Sequence, residues 1–239
     1  MAVTRPMRFF YFALGIILVV GAFLIVRQVQ GPGRGGSVTQ TLQTAPLAPV
    51  SSGSVGRTLG SDSAPVEIME FADFECGACA RFAIIQFPLV RERLIATGRL
   101  RWRFLHFPLQ GHATSPAAHL AAACADEQGR IWEMMDLIFN RQNDWAFERR
   151  PQRPLRDFAR SLGLDLSRYD SCMETGRAQP MVDADYAEGE RLHVNETPTF
   201  VVNGRMWRWG LDYDGIKAIV DSLAPVGGAP TAPAAPTRR

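Results

Sequence analysis

Cysteine and histidine are both scarce, with four of each among 239 residues. A second Cys-x-x-Cys pair is missing, and no histidine stands at knuckle spacing from a cysteine, which argues against a four-ligand zinc module. Excess charge of one sign is missing too. The 26 basic and 24 acidic side chains leave a net charge of +2, and the basic residues are scattered, so no electrostatic nucleic-acid footprint is present. No internal repeat is visible. The apolar fraction is ordinary for a globular protein, so a packed core is expected.

One long apolar run is present. Phe9 to Val26 (FFYFALGIILVVGAFLIV) carries no charged residue. As a helix it would reach roughly 27 Å, close to a hydrocarbon core of about 30 Å. A buried soluble helix fits poorly, because the run is apolar on every face. Arg5 and Arg8 before it favour an N-in orientation, a bias that Arg27 and Arg34 beyond it weaken. No Ala-x-Ala cleavage site closes the run, and Val29-Gln30-Gly31 is a poor substitute. An uncleaved single-pass anchor is expected, with residues 1–8 cytoplasmic, residues 9–26 in the membrane and the rest in the periplasm or another extracytoplasmic space. Residues 27–56 are rich in Gly, Ser, Thr, Gln and Pro without apolar period, and residues 224–239 are rich in Pro and Ala. Both read as disordered, one as a linker and one as a tail. The folded domain is expected over 57–223.

Inside it, Val66 to Phe71 reads as a central strand after the turn-prone Ser61-Asp62-Ser63-Ala64-Pro65. Apolar residues from Ala78 to Ala96 predict a helix kinked at Pro88 and stopped at Gly98. Leu100 to Phe107 alternates and predicts a second strand. Helices are then expected over Ser115–Gln128, Ile131–Arg141, Leu155–Leu162 and Met181–Leu192, which together form a helical insertion at about 112–192. Thr199–Val202 and Met206–Trp209 predict a hairpin through Asn203-Gly204, and Tyr213–Leu223 a closing helix. The order predicts an α/β fold with four strands and an inserted helical subdomain.

The cysteines stand at 76, 79, 124 and 172, an even count that allows three disulfide connectivities in an exported chain. Cys76-Gly77-Ala78-Cys79 follows the central strand and opens the first helix. Free backbone N–H groups and the positive end of the helix dipole favour a thiolate at Cys76 there, while Cys79 lies one turn further in. An exposed attacking sulfur and a shielded resolving sulfur are what dithiol exchange requires.

Two stretches together carry a resemblance. Glu70-Phe71-Ala72-Asp73-Phe74-Glu75-Cys76-Gly77-Ala78-Cys79 and, far downstream, Glu196-Thr197-Pro198-Thr199-Phe200-Val201-Val202-Asn203-Gly204 resemble the DsbA-like branch of the thioredoxin superfamily. Ala121 to Gly129 and Trp132 to Leu137 in the helical block look familial as well. The resemblance spans about Arg57 to Leu223 and implies a thioredoxin fold with a helical insertion. It also implies a cis peptide bond before Pro198, beside the cysteine pair, which leaves the Thr197 backbone free to pair with an extended substrate. An ordinary proline at a strand start is the plain alternative.

Similar proteins carry a buried carboxylate where Glu70 stands, a group that could relay a proton to or from Cys79. A solvated strand-end carboxylate is the alternative. Glu75 is a possible opposing charge beside Cys76. The strongest oxidants of the family carry a histidine between the cysteines, whereas Gly77 and Ala78 offer no side-chain charge or donor, which leaves redox direction open. A Cys124–Cys172 disulfide is expected from export and from some similar proteins, with two buried thiols as the alternative. His106, His112, His119 and His193 read as packing or surface residues rather than copper ligands, and Trp132, Trp145, Trp207 and Trp209 as packing residues.

The resemblance implies a thiol:disulfide oxidoreductase acting on exported proteins with cysteine thiols. The expected direction is oxidation, with reoxidation by a membrane redox partner and without cofactor, metal or nucleic acid. A reductase or isomerase using the same pair is the nearest alternative. A redox-inert tethered chaperone or scaffold comes from another class, and metal delivery is a third reading.

Overall fold

The computed structural model describes residues 55–208 and 211–225. The expected anchor Phe9–Val26, nearly all of the linker and tail, and Trp209 lie outside the described residues. No helix among the described residues is long and apolar enough to cross a membrane.

Five strands form one sheet. They are β1 Arg57–Leu59, β2 Val66–Ala72, β3 Leu100–His106, β4 Thr199–Val202 and β5 Arg205–Arg208, in the spatial order β1-β3-β2-β4-β5. β2 and β3 are parallel, as a helical crossover between them requires, and the other pairs are antiparallel. The four-strand expectation missed β1. Its three residues are too few to show alternation, and it forms by pairing Arg57 with Phe104 and Leu59 with Trp102. β2 is buried on both faces apart from half-buried Glu67, which is why its sequence is nearly continuous in apolar residues. The β4–β5 hairpin turns through Asn203 (φ 47°) and Gly204 (φ 75°), the left-handed pair that a two-residue turn needs.

Helices α1 (Gly77–Arg81) and α2 (Phe87–Val90) belong to one winding run with π-helical turns at Phe82–Gln86 and Arg91–Ile95. Pro88 stands in the first turn of α2. The wide turn ahead of it absorbs the missing N–H and the ring's bulk, so the expected kink takes the form of π turns. The insertion contains α3 (Ser115–Asp126), α4 (Ile131–Asn140), α5 (Gln152–Ser161), α6 (Leu166–Thr175) and α7 (Gln179–Arg191). α5 begins three residues before the expected Leu155. Pro151 is its N-cap and Pro154 sits in its first turn, where no backbone N–H is needed, so prolines that read as separators are part of the helix start. The closing helix α8 spans Tyr213–Leu223.

Each sheet face has its own core. Ile68, Trp102, Phe200 and Val202 pack with Phe82, Phe87, Ile216 and Val220 on one face. Phe71, Leu105 and Val201 pack with Phe107, Leu192 and Val194 on the other. There α7 comes so close that a Cβ on Gly189 would lie 2.4 Å from Phe107 Cε2. A third cluster fills the insertion around Cys124, Met134, Ile138, Trp145 and Tyr169, and reaches Phe74 and Cys79.

Candidate active site

β2 delivers the cysteine pair to the end of the sheet. Cys76 is the N-cap of α1 with extended backbone (φ −72°, ψ 118°), and its Sγ accepts from the Cys79 N–H at 3.5 Å. The Cys76 thiol also donates to the Thr197 carbonyl at 3.3 Å across 121 residues of sequence. Thr197 precedes Pro198 through a cis peptide bond. Cys76 is half-buried and Cys79 is fully buried, and both are free thiols.

The two sulfurs titrate in opposite directions. The Cys79 thiol, hydrogen-bonded to the Cys76 sulfur, lowers the Cys76 pKa most. Partial burial opposes it, and the Thr197 side chain and the N–H groups of Cys79 and Ala78 assist, bringing Cys76 down to about 5. Burial pushes Cys79 well above the ordinary thiol value, and its hydrogen bond to Cys76 adds to that. An acidic outer sulfur and a protonated inner one result without a charged side chain at position 77 or 78. Space around Gly77 is open, with nothing within 4 Å of a Cβ built there.

Glu70 lies on β2 opposite Phe104 of β3 and Phe200 of β4. It is buried rather than solvated, with 5% of its surface exposed. Burial raises its pKa to about 8 despite an opposing hydrogen bond from the Trp102 indole. Alternation along the strand puts it on the Trp102 face, below the helix that carries Cys79.

The Glu75 carboxylate is engaged at the start of α3. Its Oε2 accepts from the Thr114 N–H (3.0 Å), the Thr114 hydroxyl (2.8 Å) and the Ser115 N–H (3.0 Å) at the start of α3. The expected charge opposition is therefore replaced by a cap on the insertion. Asp73 is fully buried. Its Oδ1 accepts from the Glu75 N–H (2.7 Å) and the Ser115 hydroxyl (2.6 Å). Its Oδ2 accepts from the Leu109 N–H (2.6 Å) and lies 2.8 Å from His112 Nδ1. Only its place in the Glu70–Cys79 stretch points to it; apart from the Glu75 N–H, its partners lie 36 to 42 residues downstream.

Cys124 and Cys172 are joined by a disulfide with Cα atoms 5.8 Å apart, linking α3 to α6 inside the insertion. His106 and His119 are both fully buried, with Nδ1 atoms 2.7 Å apart. Burial drives His106 down to about 3 and His119 well below its ordinary value, so the pair is neutral. Among the described residues no group of three or more His, Cys, Asp or Glu is placed to hold a metal ion. Beside Pro198 an apolar groove of about 340 Å³ is lined by Ala78, Phe82, Ile85, Phe200 and Leu211.

A thioredoxin family model matches residues 53–222. The disulfide bond formation protein D of Bacillus subtilis is 27% identical over 171 residues, which cover 68% of this chain and 74% of that protein. The Na(+)/H(+) antiporter NhaA 3 of Salinispora tropica is 36% identical over 176 residues, 71% of this chain but 26% of the antiporter. The chain thus spans about a quarter of the length of this antiporter and of its Salinispora arenicola counterpart. Among solved structures, oxidised BdbD from Bacillus subtilis superposes with a TM-score of 0.64 at 25% identity, covering 70% of this chain and 92% of that one. Wolbachia pipientis alpha-DsbA1 shares the fold with a TM-score of 0.63 at 21% identity, covering 70% and 90%. The chain belongs to the thioredoxin family, in its DsbA-like branch.

Proposed function

We propose that the chain is a thiol:disulfide oxidoreductase that oxidises exported proteins through Cys76 and Cys79. The observation that carries this reading is the asymmetry of the two sulfurs: Cys76 half-exposed and acidic beside Thr197, Cys79 buried and protonated. In the oxidised enzyme a client thiolate attacks Cys76 Sγ, the Cys76–Cys79 bond breaks, and the Cys79 thiolate takes up a proton, for which Glu70 is the candidate donor. A second client thiolate then attacks the client sulfur of the mixed disulfide and expels Cys76 as a thiolate. The client gains a disulfide and the enzyme two electrons. A thiolate stabilised at Cys76 makes that sulfur a good leaving group and favours the reduced enzyme, which supports oxidation over reduction.

The segment of client next to its cysteine pairs with the Thr197 backbone, with an apolar side chain in the groove beside Pro198. The Phe9–Val26 run holds the domain at the outer face of a membrane, where a membrane redox partner reoxidises the pair. The relative named disulfide bond formation protein D supports this direction.

Measuring the reduction potential of the full chain tests it. A value well above the roughly −270 mV of thioredoxin is expected; a value near it would overturn the oxidase reading in favour of a reductase. Cys76→Ser is expected to abolish oxidation of reduced, unfolded clients, and oxidation that survives the replacement would overturn Cys76 as the exchanging sulfur; an unaltered chain that oxidises no client but keeps unfolded clients soluble would leave a chaperone or scaffold.

A further inference from the structure

We infer that the segment from Phe147 to Arg153, exposed at every position but Pro151, is a recognition lip for polypeptides that carry acidic and apolar residues beside the cysteine exchanging with Cys76. The inference rests on the disulfide-exchange reading above and adds the chemistry of the partner.

Phe147 is 84% exposed, the most exposed large apolar side chain among the described residues. Arg149, Arg150 and Arg153 follow it, all exposed and none in an ion pair or side-chain hydrogen bond among the described residues. Glu148 is the one acidic residue in the segment. Neighbouring charges are already matched: Arg141 pairs with Asp144, Arg156 with Asp170, and Glu75 caps α3. The segment therefore presents an excess of unpaired positive charge around a bare aromatic ring. Such a surface attracts acidic, apolar partners.

Its base is fixed, and fixed to the cysteine loop. Trp145 and Ala146 are buried, with the Trp145 indole donating to the Ile138 carbonyl at 2.9 Å. The Gln142 side-chain amide donates to the Phe74 carbonyl at 2.7 Å, two residues before Cys76. The Thr114 hydroxyl lies 2.8 Å from both the Ala146 carbonyl and Glu75 Oε2, and Glu75 adjoins Cys76. A ring held out by a rigid base loses little freedom on binding. The lip is tied to the loop before Cys76, apart from the Pro198 groove, so a chain crossing the cysteine could touch both. An anionic lipid surface would also suit exposed Phe and Arg, but it would not require ties to the residues that precede Cys76.

The test uses the full-length chain, oxidised, and four dithiol peptides alike except that their cysteines are flanked by Asp and Leu, by Ser and Leu, by Lys and Leu, or by Ser alone. In a single turnover the peptide dithiol passes two electrons to the Cys76–Cys79 disulfide and becomes a disulfide itself, while one of its two protons stays on Cys79 and the other goes to solvent because Cys76 leaves as a thiolate. At low salt the second-order rate constant of this single turnover is expected to favour the acidic over the basic peptide roughly tenfold, and the ratio should fall towards one as salt screens the arginines. Replacing Arg149, Arg150 and Arg153 by Ser should collapse that ratio, with the Ser–Leu peptide as each variant's own reference. Phe147→Ser should weaken the Ser–Leu peptide relative to the same peptide with Leu replaced by Ser. An acidic preference that survives the arginine replacements overturns the inference. So does an effect of these variants that is equal for all peptides and arises only with phosphatidylglycerol vesicles present, which would assign the lip to a lipid surface. If the unaltered chain oxidises none of the peptides, the exchange reading itself has failed.

Discussion

The indole N–H of Trp102 donates to the Glu70 carboxylate at 3.1 Å, the one hydrogen bond to this buried carboxylate among the described residues. One donor does not offset the loss of water, so burial wins and the folded pKa rises from 4.5 to about 8. Between those values the folded chain keeps a proton that the unfolded chain releases, so Glu70 lowers stability progressively as pH rises through that window. Glu70→Gln keeps an acceptor for Trp102 and removes the titration. The stability of the variant minus that of the wild type is expected to grow by about 4 kcal/mol between pH 4.5 and pH 8. Urea unfolding at the two pH values checks this, and a constant difference would contradict it.

Cys76 has the opposite sign. Its folded pKa is lowered to about 5 from 9.0, so in the dithiol form its contribution is fully present above the unfolded value and is lost as pH falls through about 5. The disulfide form has no such group. The stability of the dithiol form relative to the disulfide form should therefore rise with pH across this window. Denaturant midpoints of the two forms measured in parallel decide it, and parallel curves would refute the acidity of Cys76. Alkylation of the dithiol enzyme should follow a single ionisation near pH 5 that Cys76→Ser removes.

Removing the insertion's disulfide should cost stability and spare exchange. Cys124 and Cys172 are 48 residues apart, and closing a loop of that length stabilises by about 4 kcal/mol in the chain-entropy picture. Cys124→Ala/Cys172→Ala is expected to lose stability of that order in chemical denaturation while still oxidising a dithiol peptide. In Cys76→Ser/Cys79→Ser, non-reducing peptide mapping should find 124 and 172 bonded, and two free thiols there would contradict the pairing.

Asp73 should matter more for stability than Glu75, although they stand two residues apart. Asp73→Asn turns an amide donor towards the Glu75 and Leu109 N–H groups and the Ser115 hydroxyl, which all donate to this fully buried site, for an expected loss of about 3 kcal/mol. Glu75→Gln keeps an acceptor at the helix start and should cost about 1 kcal/mol or less. Equal losses in calorimetry would show that the two carboxylates do not divide the work in this way.

Legibility in the sequence followed the range of the interactions. The Asn203-Gly204 turn, the helix over Tyr213–Leu223 and the Cys76/Cys79 spacing depend on neighbours within a few residues, and the pattern exposes them. β1 has no pattern of its own and exists through Phe104 and Trp102. The start of α5 was obscured because Pro151 and Pro154 terminate one helix in sequence logic and begin another in space. Glu75 could be read only against its neighbour Cys76, while the groups that engage it stand at Thr114 and Ser115. The resemblance supplied Pro198 and Glu70; it did not supply Asp73, whose partners come from the loop leading into the insertion.

The register of β1 bears on how the chain can be handled at the bench. Arg57 pairs with Phe104, near the end of β3 that lies alongside Ala72 and the cysteine loop. The C-terminal helix finishes at the other end, where Arg99 donates to Asp221 and to the Ala224 carbonyl. A carrier, dye or solid support joined closely upstream of residue 57 thus crowds the catalytic rim, whereas one joined downstream of residue 225 leaves it clear. Immobilisation for client-capture assays belongs at the C-terminus.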